Sequence, residues 1–240
     1  MKTKFKDIYV NYEILGQEGD WIIFLHGWGG SIESFKLVAK QFEQTNRCLL
    51  FDFPPFGESE EPYEVWNNDT YVELVVHLLN VLKIKTCSII AHSFGGRVAI
   101  KFASRYNEIV KNIILVDSAG LKPRFSIKKF IRIKRYKLAK RLGLKTKDFS
   151  SLDYKKLSPL MKKTFVNIIC EDLSSHLRHV ICPTLIIFGR NDKETPLYMA
   201  KKLNKKIKDS ALIVFDECGH FAYLEDFYRF VAITKSFLKG

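Results

Sequence analysis

The sequence predicts an α/β fold: a mostly parallel, doubly wound sheet with an inserted helical cap. Three observations lead there. Short apolar runs of five or six residues recur along the 240-residue chain, as strands buried on both faces require. Longer stretches with helical spacing separate them, and that alternation is the mark of βαβ units. The rhythm then stops between residues 119 and 182, where no strand-like run occurs.

The elements follow in order. FKDIYVNYEIL, residues 5–15, alternates polar and apolar and reads as a half-buried strand. WIIFL at 21–25, RCLLF at 47–51 and TCSIIA at 86–91 are continuous apolar runs. KNIILV at 111–116, TLIIF at 184–188 and ALIVF at 211–215 continue the series. Helical spacing covers 69–82 and 94–106, and within the strand-free stretch 126–142, 158–169 and 172–178. Pro183 opens the next strand. The expected organisation is one α/β core, residues 1–118 and 183–240, carrying a cap at 119–182, with no internal repeat.

Composition narrows the function. With 47% hydrophobic and 27% charged residues the chain can bury a full core. It has no apolar run near the roughly 20 residues a membrane span needs and no apolar leader, so a soluble, cytoplasmic protein is expected. The five cysteines are widely spaced, without the CxxC pattern of zinc or redox sites, and read as reduced, buried thiols. Net charge is +13, but residues 119–182 hold 17 of the 39 Lys and Arg and only 4 of the 26 Asp and Glu. The remaining 22 basic and 22 acidic residues cancel, so the excess belongs to the cap. Without aromatic interleaving on a basic face or a reader motif, nucleic-acid binding is not expected. No His/Asp/Glu cluster has metal-ligand spacing, so neither metal nor cofactor is expected.

The chemistry-bearing pattern is SIIAHSFGG, residues 88–96: a buried strand, a tight turn, then a helix. A serine raised on a crowded strand-to-helix turn needs small neighbours two residues away on each side, here Ala91 and Gly95. On such a turn Ser93 would be exposed at the carboxyl edge of the sheet, with the Phe94 N–H facing a developing oxyanion. The motif alone leaves a second reading open, in which Ser93 simply caps the helix.

A nucleophilic serine needs a base, and the base needs a carboxylate. TLIIF runs into Gly189-Arg190-Asn191-Asp192, and ALIVF leads to Cys218-Gly219-His220. Both loops follow sheet strands, so Ser93, Asp192 and His220 would gather at one sheet edge. WIIFL runs into His26-Gly27-Trp28-Gly29-Gly30, where glycines let the backbone approach a ligand and the Trp28 N–H could be a second oxyanion donor. His26 reads as a loop-orienting residue. His92 should point away from Ser93, and Asp117, after KNIILV, is a rival for the acid. His77, His176 and His179 have no catalytic context.

With these landmarks the chain resembles the α/β-hydrolase superfamily over its whole length, in particular carboxylesterase-like serine hydrolases with a helical cap. The matching segments are HGWGG at 26–30, DFPPFGES at 52–59, AHSFGG at 91–96, GRNDKETP at 189–196 and GH at 219–220. Two departures stand out: Ala91 for the first glycine of GxSxG, and Pro54-Pro55 where Pro-Gly is common. The resemblance implies Ser93 as nucleophile, His220 as general base and acid, Asp192 as orienter, and Trp28 and Phe94 as backbone oxyanion donors. It implies an ester or other acyl substrate, with thioester, lactone and carbon–carbon cleavage open. The serine disfavours relatives that use an aspartate nucleophile. The contrasting expectation is a ligand sensor of the same fold that signals through its cap with little turnover.

The cap should select the substrate. Phe125, Phe130, Leu160, Met161 and Phe165 are the expected pocket residues. The basic run KKFIRIKRYKLAKR at 128–141 admits a solvated helix face, attraction of an anionic substrate, or contact with an anionic membrane surface.

Overall fold

The computed structural model describes residues 1–122 and 152–239. Eight strands form one sheet in the order β1-β2-β4-β3-β5-β6-β7-β8. They are β1 (Lys2–Phe5), β2 (Ile8–Leu15), β3 (Asp20–Leu25), β4 (Asn46–Phe51), β5 (Cys87–His92), β6 (Val110–Val116), β7 (Thr184–Gly189) and β8 (Ser210–Phe215). From β4 to β8 every neighbouring pair is parallel, while β1–β2 and β2–β4 are antiparallel.

The expected first strand is in fact a hairpin. Phe5 pairs with Ile8 around Lys6, whose φ is 52°. Glycine is the usual sequence signal for a positive-φ turn position. Lysine stands there instead, so the alternation runs through the turn without a visible break.

Helices α1 (Glu33–Ala39), α2 (Asn68–Val81), α3 (Phe94–Ala103), α4 (Leu152–Lys156), α5 (Pro159–Cys170), α6 (Leu197–Lys206), α7 (Ala222–Glu225) and α8 (Phe227–Lys239) complete the described elements. The sheet divides the core into two layers. Leu74, Val98 and Leu203 join Ile23 and Ile89 on one face; Phe35 and Phe230 join Ile22 and Ile90 on the other. The successive residues of β3 and β5 thus serve opposite layers, as the strand period of two dictates. All ten residues of α3 are buried, so this helix has no solvent face. The stretch 172–178 does not form the expected helix: two 3₁₀ turns, Leu173–Ser175 and Leu177–His179, occupy it. Asp172 caps the first by accepting from the Ser174 N–H. Among the described residues no helix is long and apolar enough to cross a membrane.

Between β6 and β7, α5 is anchored to the core by polar contacts as well as packing. The Trp66 N–H donates to Thr164 Oγ1 at 3.0 Å, and Asn68 Nδ2 donates to the Ile168 carbonyl and to Glu171 Oε2. Met161, Thr164 and Ile168, spaced along one helical face, are buried there.

Candidate active site

The site is built at the carboxyl ends of β3, β5, β7 and β8. β5 delivers the chain into Ser93 at φ 48°, ψ −109°, a conformation that costs a non-glycine residue about 1–3 kcal/mol. Its surroundings fix it. The Ser93 N–H donates to Val116, and its carbonyl accepts from Gly96 and Ala119. A Cβ on Gly95 would fall on the Leu25 carbonyl oxygen, and one on Gly96 would fall on Ser118 Oγ. Ala91, two positions before the serine, is fully buried and paired in register with Leu25 and Leu115 of the flanking strands.

Ser93 occupies the N-cap position of α3, yet its side chain makes no capping hydrogen bond. Its Oγ lies 3.0 Å from His220 Nε2, and His220 Nδ1 lies 2.8 Å from Asp192 Oδ2. With Asp192 accepting from Nδ1–H, Nε2 is left free to accept the serine proton.

Asp192 is held by more than the imidazole. Its Oδ1 accepts from the backbone N–H groups of Glu194 and Thr195 at 2.7 and 3.0 Å, and Thr195 Oγ1 lies 2.5 Å from Oδ2. Burial pushes this carboxyl up, but its bonds to His220 and Thr195 outweigh burial and hold it below the ordinary carboxylate value. Burial likewise pushes His220 down, and the Asp192 bond and charge, then Glu194 and Asp117, bring it net above 6.5. Glu194 Oε2 is 3.4 Å from His220 Nε2, on the side that faces Ser93.

Three other polar residues frame the site. His92 Nε2–H donates to the His220 carbonyl at 2.7 Å, and its ring packs on those of His220, Phe221 and Tyr223. Burial drives its pKa to about 3, so it stays neutral. His26, also neutral with its pKa lowered to about 4 by burial, donates from Nδ1 to Gly27 and accepts at Nε2 from the Phe53 N–H. It joins the loops after β3 and β4, the orienting role its sequence position suggested. Asp117 does not reach His220 Nδ1, which Asp192 occupies. Its carboxylate accepts from the N–H groups of Gly189 and Ala222, at 2.8 and 3.1 Å, and so ties together the loops that carry Asp192 and His220.

Above Ser93 lies a cavity lined by Trp28, Phe94, Phe165, Ile169, Tyr223 and others, with His220 and Glu194 at one side and Arg97 among the lining. Trp28 and Phe94 both border it, and among the described residues neither backbone N–H donates to another protein group. Their rings stack edge to face with centroids 5.4 Å apart.

Of the expected pocket residues, Phe165 lines the cavity, with its ring 5.1 Å from that of Trp28. Leu160 and Met161 do not. Met161 is wholly buried on the core-facing side of α5. Leu160 sits about 140° round the helix from Phe165 and about 180° from Ile169, which puts it on the wrong side. Phe125, Phe130 and the basic run 128–141 lie outside the described residues. His77 meets Thr3, His176 meets Ser104 and His179 meets Arg178, all away from the cavity. Four cysteines are buried; Cys170 is exposed. Among the described residues no group of three or more His, Cys, Asp or Glu could hold a metal ion.

Residues 22–233 match the alpha/beta hydrolase family. The chain belongs to that family. It is 28% identical to the AB hydrolase superfamily protein YisY of Bacillus subtilis (strain 168), covering 85% of this chain and 86% of that one. It is 27% identical to the 2-hydroxymuconate semialdehyde hydrolase of Pseudomonas sp. (strain CF600), covering 90% and 86%. In structure it resembles the meta-cleavage product hydrolase CumD of Pseudomonas fluorescens IP01, with a TM-score of 0.76 over 97% of this chain and 94% of that one at 24% identity. As an alpha/beta hydrolase the chain has the mostly parallel sheet that its sequence predicted, with eight strands where seven runs were expected.

Three cavity-lining residues are absent from the sequence expectations: Arg97, Thr195 and Glu194. Arg97 had a signal, a charge four residues after the serine inside an apolar helix. The other two follow Asp192 within three positions and are found only once the loop's turn is known.

Proposed function

We propose that this hydrolase cleaves carboxylic esters and related acyl bonds through an acyl-enzyme at Ser93. The observation that carries the reading is the relay of 3.0 Å from Ser93 Oγ to His220 Nε2 and 2.8 Å from His220 Nδ1 to Asp192 Oδ2, beneath a mostly apolar cavity. Ser93 Oγ attacks the carbonyl carbon as its proton passes to His220 Nε2. The oxyanion is received by the N–H groups of Phe94 and Trp28. The tetrahedral intermediate collapses when Nε2 returns the proton to the leaving oxygen. Water, deprotonated by the same nitrogen, then releases the acid and restores Ser93. Asp192 keeps the imidazole in the required tautomer and stabilises the imidazolium that forms.

Residues 119–182 act as the cap, with α5 supplying Phe165, Ile168 and Ile169 to the acyl-binding wall. The relatedness to a semialdehyde hydrolase keeps carbon–carbon cleavage open: the same serine would attack a ketone carbonyl, and on collapse the proton on Nε2 would go to the leaving carbon in place of an oxygen. A fluorophosphonate probe should label the protein, and Ser93→Ala should abolish labelling. Rapid multiple turnover of short p-nitrophenyl esters supports the enzyme; a single covalent event would instead favour the sensor.

A further inference from the structure

Two cations are buried on α3, and they are satisfied differently. Lys101, 2% exposed, places Nζ 2.8 Å from Asp69 and 2.6 Å from Glu171, a complete ion-pair set. Arg97, 5% exposed, donates from Nη1 to the backbone carbonyl of Glu171 at 3.0 Å, and among the described residues no carboxylate lies within ion-pair distance of it. The nearby acids are engaged elsewhere. Glu171 is held by Lys101 and Asn68, and Asp172 by the Ser174 hydroxyl and N–H. Residues 123–151 contain eleven Lys and Arg and one acid, Asp148, so that stretch supplies little counter-charge.

A guanidinium has five N–H donors and stays charged, and burying it without a partner anion is costly. This one lines the cavity. It sits one helical turn after Ser93, on the same face of α3, and both residues line the same cavity.

We propose that Arg97 is the anchor for a carboxylate on the acyl portion of the substrate, so that the site takes carboxylate-bearing acyl compounds in preference to neutral ones. This rests on the acyl-transfer reading of Ser93. The acyl side is assigned by charge. The leaving group takes its proton at His220 Nε2, and Glu194 Oε2 stands 3.4 Å from that atom, so an anionic leaving group would be repelled. Arg97 offers the cavity a planar, multi-donor cation suited to a carboxylate.

The competing role for Arg97 is structural: it satisfies a carbonyl at the C-terminal end of α5 and holds that helix to the core. The test separates the two with monomethyl adipate, dimethyl adipate and 4-acetoxybutanoate as substrates for the full-length protein. The wild type should favour monomethyl adipate over the dimethyl ester at least tenfold in kcat/KM. Arg97→Met should lower kcat/KM for monomethyl adipate by about 10- to 100-fold, mainly through KM, and change the dimethyl ester less than threefold. Arg97→Lys should restore part of the preference. 4-Acetoxybutanoate, with its charge on the leaving-group side, should gain nothing from Arg97.

An equal fall for all three esters, or a wild type indifferent to charge, overturns the anchor. A second readout needs no turnover: calorimetric binding of hexanoate against hexanamide to wild type and Ser93→Ala. Preferential hexanoate binding that Arg97→Met removes, with no ester hydrolysed, would keep the anchor and defeat the acyl-transfer reading. Hydrolysis of neutral esters with equal hexanoate and hexanamide binding would do the reverse.

Discussion

Asp117 and Asp192 follow the neighbouring strands β6 and β7, both are buried, and both bond to the loops of the site, yet their protonation is driven in opposite directions. Burial pushes Asp117 up to about 7, because two backbone N–H groups do not compensate for its removal from water and Asp192 adds like-charge repulsion. Asp192 is also penalised by burial, but an imidazole, a hydroxyl and two N–H groups converge on it and win. Two carboxyls at adjacent strand ends therefore have different uses. One works as a permanent anion opposite His220; the other works as a brace between main-chain segments.

The sharpest way to break that contrast is to neutralise each in turn. Asp192→Asn should cost about 10³- to 10⁴-fold in kcat/KM for a p-nitrophenyl ester, since the imidazole loses its tautomer control. Asp117→Asn should cost about 10- to 100-fold, through loosened loops alone. The reverse order in steady-state assays would make Asp117 the acid.

The pH profile is a second discriminator. His220 must be neutral to accept the serine proton, and its pKa is raised, so the acidic limb of kcat/KM should lie above 6.5. In Asp192→Asn burial remains while its main compensation is gone, so the limb should move below the wild-type position. In Asp117→Asn, which removes a weaker contributor, it should move far less.

Stability gives a smaller but more direct contrast. The Asp117 carboxyl titrates near 7 when folded against 3.8 unfolded, so the folded protein binds the extra proton and stability falls as pH rises from about 4 through 7. Asp192 is depressed, so its contribution is present above 3.8 and is lost as pH falls through its lower folded value. Denaturation curves at pH 5 and 8 should show Asp117→Asn flattening the neutral slope most, and Asp192→Asn reducing it as well, because His220 and Asp117 both titrate lower without the Asp192 charge. The smallest effect belongs to Thr195→Val. Its hydroxyl lies 2.5 Å from Asp192 Oδ2 and 2.9 Å from the Asp117 carbonyl, and its loss should cost about 1 kcal/mol in chemical denaturation.

Much of this was readable before any coordinates. The parallel strands announced themselves because strands buried on both faces leave uninterrupted apolar runs, and their bounds agree with the observed elements to within a residue or two. The convergence of Ser93, His220 and Asp192 followed from topology, since loops at the carboxyl ends of parallel strands share one edge. What was hidden depends on context that a local pattern does not carry. Lys6 adopts a positive φ without glycine, so the first hairpin looked like one strand. Residues 172–178 have helical composition, but the Asp172 cap and short turns break the run. α3 carries two cations that suggest a solvent face, whereas all ten of its residues are buried, and only that coverage makes Arg97 and Lys101 buried cations. Leu160 and Phe165 were equivalent as apolar residues; the rotation of α5 about its axis separates them.

The enclosure of α3 carries a consequence for how the molecule opens. With neither flank of this helix meeting water, its hydrogen-bonded amides beyond the first turn should exchange with deuterium more slowly than those of any partly exposed helix. α5, with Val166 and Ile169 among its exposed residues, should exchange faster on its outer face. A difference in exchange rate between the helix beneath Ser93 and the one that lines the cavity above it would mark them as separate cooperative units.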